Sequence, residues 1–128
     1  MHITTDIPDH AGVIQTLGRG FALVNCILIL SGVVPPFPHM TRVRYQLEPA
    51  GEEDWKLAHR VLRDGWGDCE DLVFWTLAGL WTTGEDEGAK FEVVRTGENK
   101  LHAVVRRSDG SIEDPSLDLM EEQARGVR

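Results

Sequence analysis

Apolar residues recur at three- and four-residue steps through residues 11–30 (Val13, Ile14, Leu17, Phe21, Val24, Leu28), the spacing of one helix face. Pro8 and Asp9 suit its start, and the residues before it read as an irregular lead-in. Its second half, Ile27-Leu28-Ile29-Leu30, is apolar nearly all round and therefore needs burial on several sides or a partner. Gly18 and Gly20 interrupt the pattern, each costing a helix up to ~1 kcal/mol relative to Ala. Pro35-Pro36-Phe37-Pro38 stops the helix and forces an extended turn. Alternation over 41–47, with Val43, Tyr45 and Leu47 on one face, predicts a short strand. After a loop at 49–51, Trp55, Leu57, Ala58, Val61 and Leu62 form the stripe of a short helix over 52–63. A tight turn at Asp64-Gly65-Trp66-Gly67 leads to a second helix over 69–83, closed by Gly84.

The last third reads as strands. Residues 91–95 and 101–107 are short β-rich runs separated by the turn signal Thr96-Gly97-Glu98-Asn99. Asp109-Gly110 is a two-residue hairpin turn into Ser111-Ile112-Glu113, and 120–128 form a polar tail, frayed or briefly helical. Helix, strand, helix, helix and a strand cluster make an α+β domain. Its expected parts are an N-terminal helix with its proline connection (1–40), a core (41–119) and the tail.

Composition narrows the function. A chain of 128 residues fits one domain, and 41% hydrophobic with 27% charged residues is globular rather than disordered. The formal net charge of −8 disfavours nucleic acid, whose phosphates it repels. The apolar run at 21–30 is broken by Asn25 and falls short of the ~20 residues of a bilayer helix, so no membrane partner is expected. The N-terminus shows no basic and apolar secretory pattern, and two cysteines suit a reducing compartment, so a cytoplasmic protein is expected.

The sharpest feature is Gly67-Asp68-Cys69-Glu70-Asp71 opening a helix. Asp68 is a good N-cap and Asp71 stands where a capping-box acid stands, which makes Cys69 the first helical residue. Helix N-termini carry partial positive charge and unpaired N–H donors, so a thiol there is expected to have a lowered pKa and an oxyanion a ready partner. The acids Asp68, Glu70 and Asp71 push the other way. Of five histidines, His102 on the strand Leu101-His102-Ala103-Val104-Val105 is the candidate base, with Asp114-Pro115-Ser116 downstream to orient its ring. A metal site from Cys69, His102, Asp114 and Glu70 is disfavoured because there is no paired Cys or His spacing, and no cofactor is expected.

These three motifs, in this order, resemble the transglutaminase-like cysteine proteins of the papain-like superfamily, particularly small phage and bacterial proteins with the Gly-Asp-Cys-Glu-Asp form. The resemblance covers residues 55–117. It implies a central helix packed on a small antiparallel sheet, with the N-terminal helix as an extra element. It also implies a Cys69-His102-Asp114 triad that forms a thioester on a protein or peptide substrate, in a bacterial host cytoplasm or a phage particle. Trp66 and Gln46 are candidates for a second oxyanion donor. The rival reading is a non-enzymatic virion or tail protein that assembles through the apolar N-terminal helix, the proline segment and the four tryptophans. One geometric obstacle stands: a two-residue Asp109-Gly110 turn pairs Val105 with Asp114 and puts that carboxylate on the sheet face opposite His102. A bulge, or a bend at Pro115, has to bring it round; Asp118 is the alternative orienter.

Overall fold

In the computed structural model, residues 10–48, 54–97 and 100–127 are described. The lead-in before residue 10, the loop at 49–51 with the first residues of the helix expected from 52, and Glu98-Asn99 lie outside the described residues. Helices are α1 (His10–Leu30), α2 (Ala58–Asp64), α3 (Cys69–Thr83) and α4 (Pro115–Ala124). Strands β1 (Arg44–Tyr45) and β2 (Trp66–Gly67) form a short parallel pair. Strands β3 (Lys90–Gly97), β4 (Lys100–Arg106) and β5 (Ile112–Glu113) form an antiparallel sheet in that order. The domain is α+β.

Helix α3 is apolar all round because it is covered on two sides. Val73, Phe74, Leu77 and Leu80 meet Ala22 of α1 and Phe91, Ala103 and Val105 of the sheet. Leu72 and Trp75 meet Val34, Val43, Val61 and Leu119. Trp55 and Trp75 are core residues, and the Trp75 Nε1–H donates to the Pro35 carbonyl at 2.9 Å. These two tryptophans lie inside the fold, and the proline segment packs on α3 with Pro38 buried and Pro35, Pro36 and Phe37 partly exposed. Gly79 admits that segment: a Cβ there would collide with the Pro36 carbonyl and the Phe37 ring.

The inner face of α1 closes on α3 at Gly18, where a Cβ would lie 2.6 Å from Phe91 and 2.7 Å from Phe74. Asn25, fully buried, accepts the Ala58 N–H at 2.8 Å and so caps α2, whose own N-cap Leu57 offers no side-chain acceptor. The outer face is not covered as its composition leads one to expect: Leu23, Val24, Ile27 and Leu30 are exposed. By length and composition, 12–30 reach what a membrane span needs, a feature that the shorter run at 21–30 concealed.

Two elements are shorter than their patterns. The strand expected over 41–47 pairs only at Arg44–Tyr45, the reach of its partner β2. Of the helix expected over 52–63, the described part begins at Ala58: Asp71 holds the Lys56 N–H at 2.7 Å and Leu57 is extended. At the other end, α4 crosses the expected core and tail boundary. Asp114 caps it and Pro115 takes its first position, so Ser116 and Leu119 are buried.

Candidate active site

The expected capping box is present. Asp71 N–H donates to Asp68 Oδ1 (3.3 Å) and Asp68 N–H donates to Asp71 Oδ2 (3.2 Å). Gly67 lets the turn sit close, since a Cβ there would be 3.1 Å from Val61 and 3.2 Å from the Asp71 Cβ. Cys69 is the first residue of α3 and only 6% exposed.

The lowered thiol pKa expected at this helix end is not found. Burial pushes the Cys69 thiol well above its ordinary range, and Glu70 and then Asp68 push it the same way. The Ala103 N–H, which favours the thiolate, offsets this only in part. That donor is available because β5 ends at Glu113, opposite Val105, leaving the edge of β4 beyond it unpaired. The helix mouth therefore meets β4 one residue from His102.

His102 Nε2 lies 2.8 Å from Asp114 Oδ2, both side chains about a fifth to a quarter exposed. A carboxylate at Nε2 draws the ring proton there and leaves Nδ1 as the basic nitrogen. The second Asp114 oxygen accepts the Leu117 N–H at 3.2 Å, so one carboxylate both orients the ring and caps α4. Asp118 is exposed and is not the partner of the ring.

The obstacle of sheet faces resolves through the turn. Arg107 N–H donates to the Ser111 carbonyl at 2.8 Å, and Arg106 pairs with Ile112. The connection is therefore three residues (108–110) rather than the expected two, with Gly110 at φ +92. That single extra residue inverts side-chain parity and returns Asp114 to the face of His102. Its cause is Asp86, whose Oδ2 takes the Ser108 N–H (3.0 Å) and the Arg107 Nε–H (3.0 Å), so Ser108 cannot pair with Ser111.

Among the described residues, the structure brings His102 and Asp114 into hydrogen bond and Cys69 beside Ala103, while the sulfur and the imidazole share no hydrogen bond. Of the oxyanion candidates, the Gln46 side chain is exposed and the Trp66 ring is covered by Lys56 Nζ, 3.2 Å from its centroid. Tyr45 was not singled out by the sequence. It is half-buried against the cluster that contains Cys69, and Cys69, Asp68, Glu70 and Asp114 all act on its phenol. Among the described residues no group of three or more His, Cys, Asp or Glu side chains is placed to hold a metal ion. A cavity of about 420 Å³ opens beside Asp114, lined by Arg107, Glu113, Leu117 and Asp118, and does not reach Cys69. Cys26, the other thiol, points to the Ala78 carbonyl at 3.9 Å. Compared with known family models, curated proteins and solved structures, the chain matches none.

Proposed function

We propose that this domain is a transglutaminase-like cysteine peptidase or amidase acting through Cys69, His102 and Asp114. The observation that carries the reading is the 2.8 Å bond from the His102 ring to Asp114, on the strand whose next residue faces the helix-mouth sulfur. Cys69 Sγ attacks the carbonyl carbon of a carboxamide or peptide while its proton passes to His102 Nδ1. The carbonyl oxygen becomes an oxyanion beside the Cys69 N–H. The C–N bond then breaks, His102 protonates the departing amine, and a thioester remains for water to hydrolyse or an amine to accept. Because burial keeps the thiol protonated at rest, proton transfer accompanies attack instead of preceding it. Hydrolysis is favoured, since amine transfer demands exclusion of water.

A small activated ester tests this without knowledge of the natural substrate. With p-nitrophenyl acetate, mass spectrometry is expected to find the acetyl group on Cys69 and not on Cys26. His102→Ala should slow acylation by roughly 10²–10⁴. Acylation of both thiols at one slow rate would favour the second reading, an assembly protein that keeps the fold. That reading draws on the exposed apolar face of α1, formed by Leu23, Val24, Ile27 and Leu30.

A further inference from the structure

We propose that the Tyr45 hydroxyl is the second oxyanion donor of the Cys69 site, set there by strand β1 and by Gln123 of α4. The inference rests on the acyl-transfer reading, whose tetrahedral intermediate carries a negative oxygen that one backbone N–H satisfies only in part. In the β1–β2 register Tyr45 stands opposite Gly67, two residues before the nucleophile, and Gln46 N–H donates to the Gly67 carbonyl at 3.0 Å. Arg44 on one side and Gln46 on the other are exposed, while Tyr45 turns inward against the apolar cluster that includes Cys69, Trp55 and Phe74.

Its hydroxyl makes no hydrogen bond to the described residues; the bond Tyr45 does make is from its backbone N–H to Gln123 Oε1 at 2.8 Å. A half-buried phenol with a free O–H is a donor waiting for an acceptor. The groups acting on it are the nucleophile, Asp68 and Glu70 at the start of α3, and the triad acid Asp114. Burial first, and then the acids around it, keep the phenol proton in place above its ordinary pH range, so the donor persists wherever thiol chemistry runs. Helix α4 thus serves both halves of the site: its N-cap Asp114 holds the imidazole and its Gln123 holds the strand that carries the phenol.

Two reagents separate an oxyanion role from a packing role. In acylation by p-nitrophenyl acetate, sulfur bonds to the carbonyl carbon, an oxyanion forms, and p-nitrophenolate leaves. In alkylation by iodoacetamide, sulfur displaces iodide and no oxyanion arises. Tyr45→Phe is expected to slow acylation of Cys69 by ~10²–10³ and leave its alkylation within about twofold. Gln123→Ala, acting through Tyr45 as a positioning change, should lower the acylation-to-alkylation ratio by a smaller factor. Equal acylation of wild type and Tyr45→Phe overturns the assignment of Tyr45 while leaving the cysteine chemistry intact. A parallel fall in both reactions also overturns it, by showing a packing role. A wild-type protein that is not acylated on Cys69 removes the acyl-transfer reading and this inference with it.

Discussion

Asp114 does two jobs with two oxygens, and substitution separates them. Oδ2 meets His102 Nε2 and Oδ1 accepts the Leu117 N–H in the first turn of α4. Asn is nearly as good an N-cap as Asp, whereas Ala loses ~1 kcal/mol. Asn also offers the ring no negative charge and can present its amide as a donor, which favours the wrong tautomer. Asp114→Asn is therefore expected to keep the urea midpoint near wild type while slowing p-nitrophenyl acetate acylation by roughly 10²–10⁴. Asp114→Ala should lose both the rate and about 1 kcal/mol of stability. An Asn variant that acylates at the wild-type rate would show the carboxylate to be only a helix cap. The same reasoning explains why Cys69 needs its neighbours: with burial, Glu70 and Asp68 all opposing ionisation, a helix N-terminus alone does not make a thiolate.

Glycine placement shows which contacts between elements are tight. At Gly79 a side chain would meet the Pro36 carbonyl, which is backbone and cannot swing away, so Gly79→Ala must prise the proline segment from α3. Its expected cost is about 1–3 kcal/mol in urea unfolding. At Gly20 nothing lies within 4 Å, and Gly20→Ala should gain ~0.5–1 kcal/mol through helix propensity alone. Similar effects at both positions would contradict the packing of α3 against 35–38. The elements that were readable in the chain are those whose instructions are local: α3 between its Asp68–Asp71 box and Gly84, and α1 by its repeat. The hairpin register was not readable, because it depends on Asp86 reaching across 22 residues of sequence to Ser108. A two-residue reading of Asp109-Gly110 is locally sound and tertiary contact overrides it. Likewise Asp114-Pro115 is a helix start as much as a motif; taken only as a motif it concealed the start of α4, since a helix was expected no earlier than 120. His102 and Asp114 were legible as types in order; Tyr45 was not, since strand alternation marks it only as an inward residue.

Carboxyl groups held by N–H, hydroxyl or cationic partners and those buried in the capping box respond to pH in opposite senses, and the balance sets the stability profile. Lys56 beside Asp64, the Ser108 N–H and then Arg107 beside Asp86, and Ser111 beside Asp109 hold these acids below the ordinary carboxylate range. Their folded pKa values lie under the unfolded one, so the stability they add is present above about pH 4 and lost as pH falls through the folded values. Asp71 is the reverse case. It is fully buried, and burial first, then Asp68, pushes its pKa up to about 8. The folded chain then keeps a proton that the unfolded chain releases, so this stabilisation is complete below about pH 4 and drains away as pH climbs through the folded value. Asp68 shifts in the same direction, from burial and from Glu70. One fully linked proton changes stability by about 1.4 kcal/mol per pH unit. The urea midpoint is therefore expected to be highest near pH 5 and to fall steadily toward pH 8. Asp71→Asn keeps an acceptor for the Lys56 N–H but turns its amide N–H toward the Asp68 N–H that Oδ2 accepts, so it should lower the midpoint at pH 5 by loss of half the box and flatten the fall toward pH 8. A wild-type midpoint that rises over the same interval would mean that the N–H donors of the box outweigh burial. Two anions would then stand at the helix mouth, and the Cys69 sulfur would need His102 all the more.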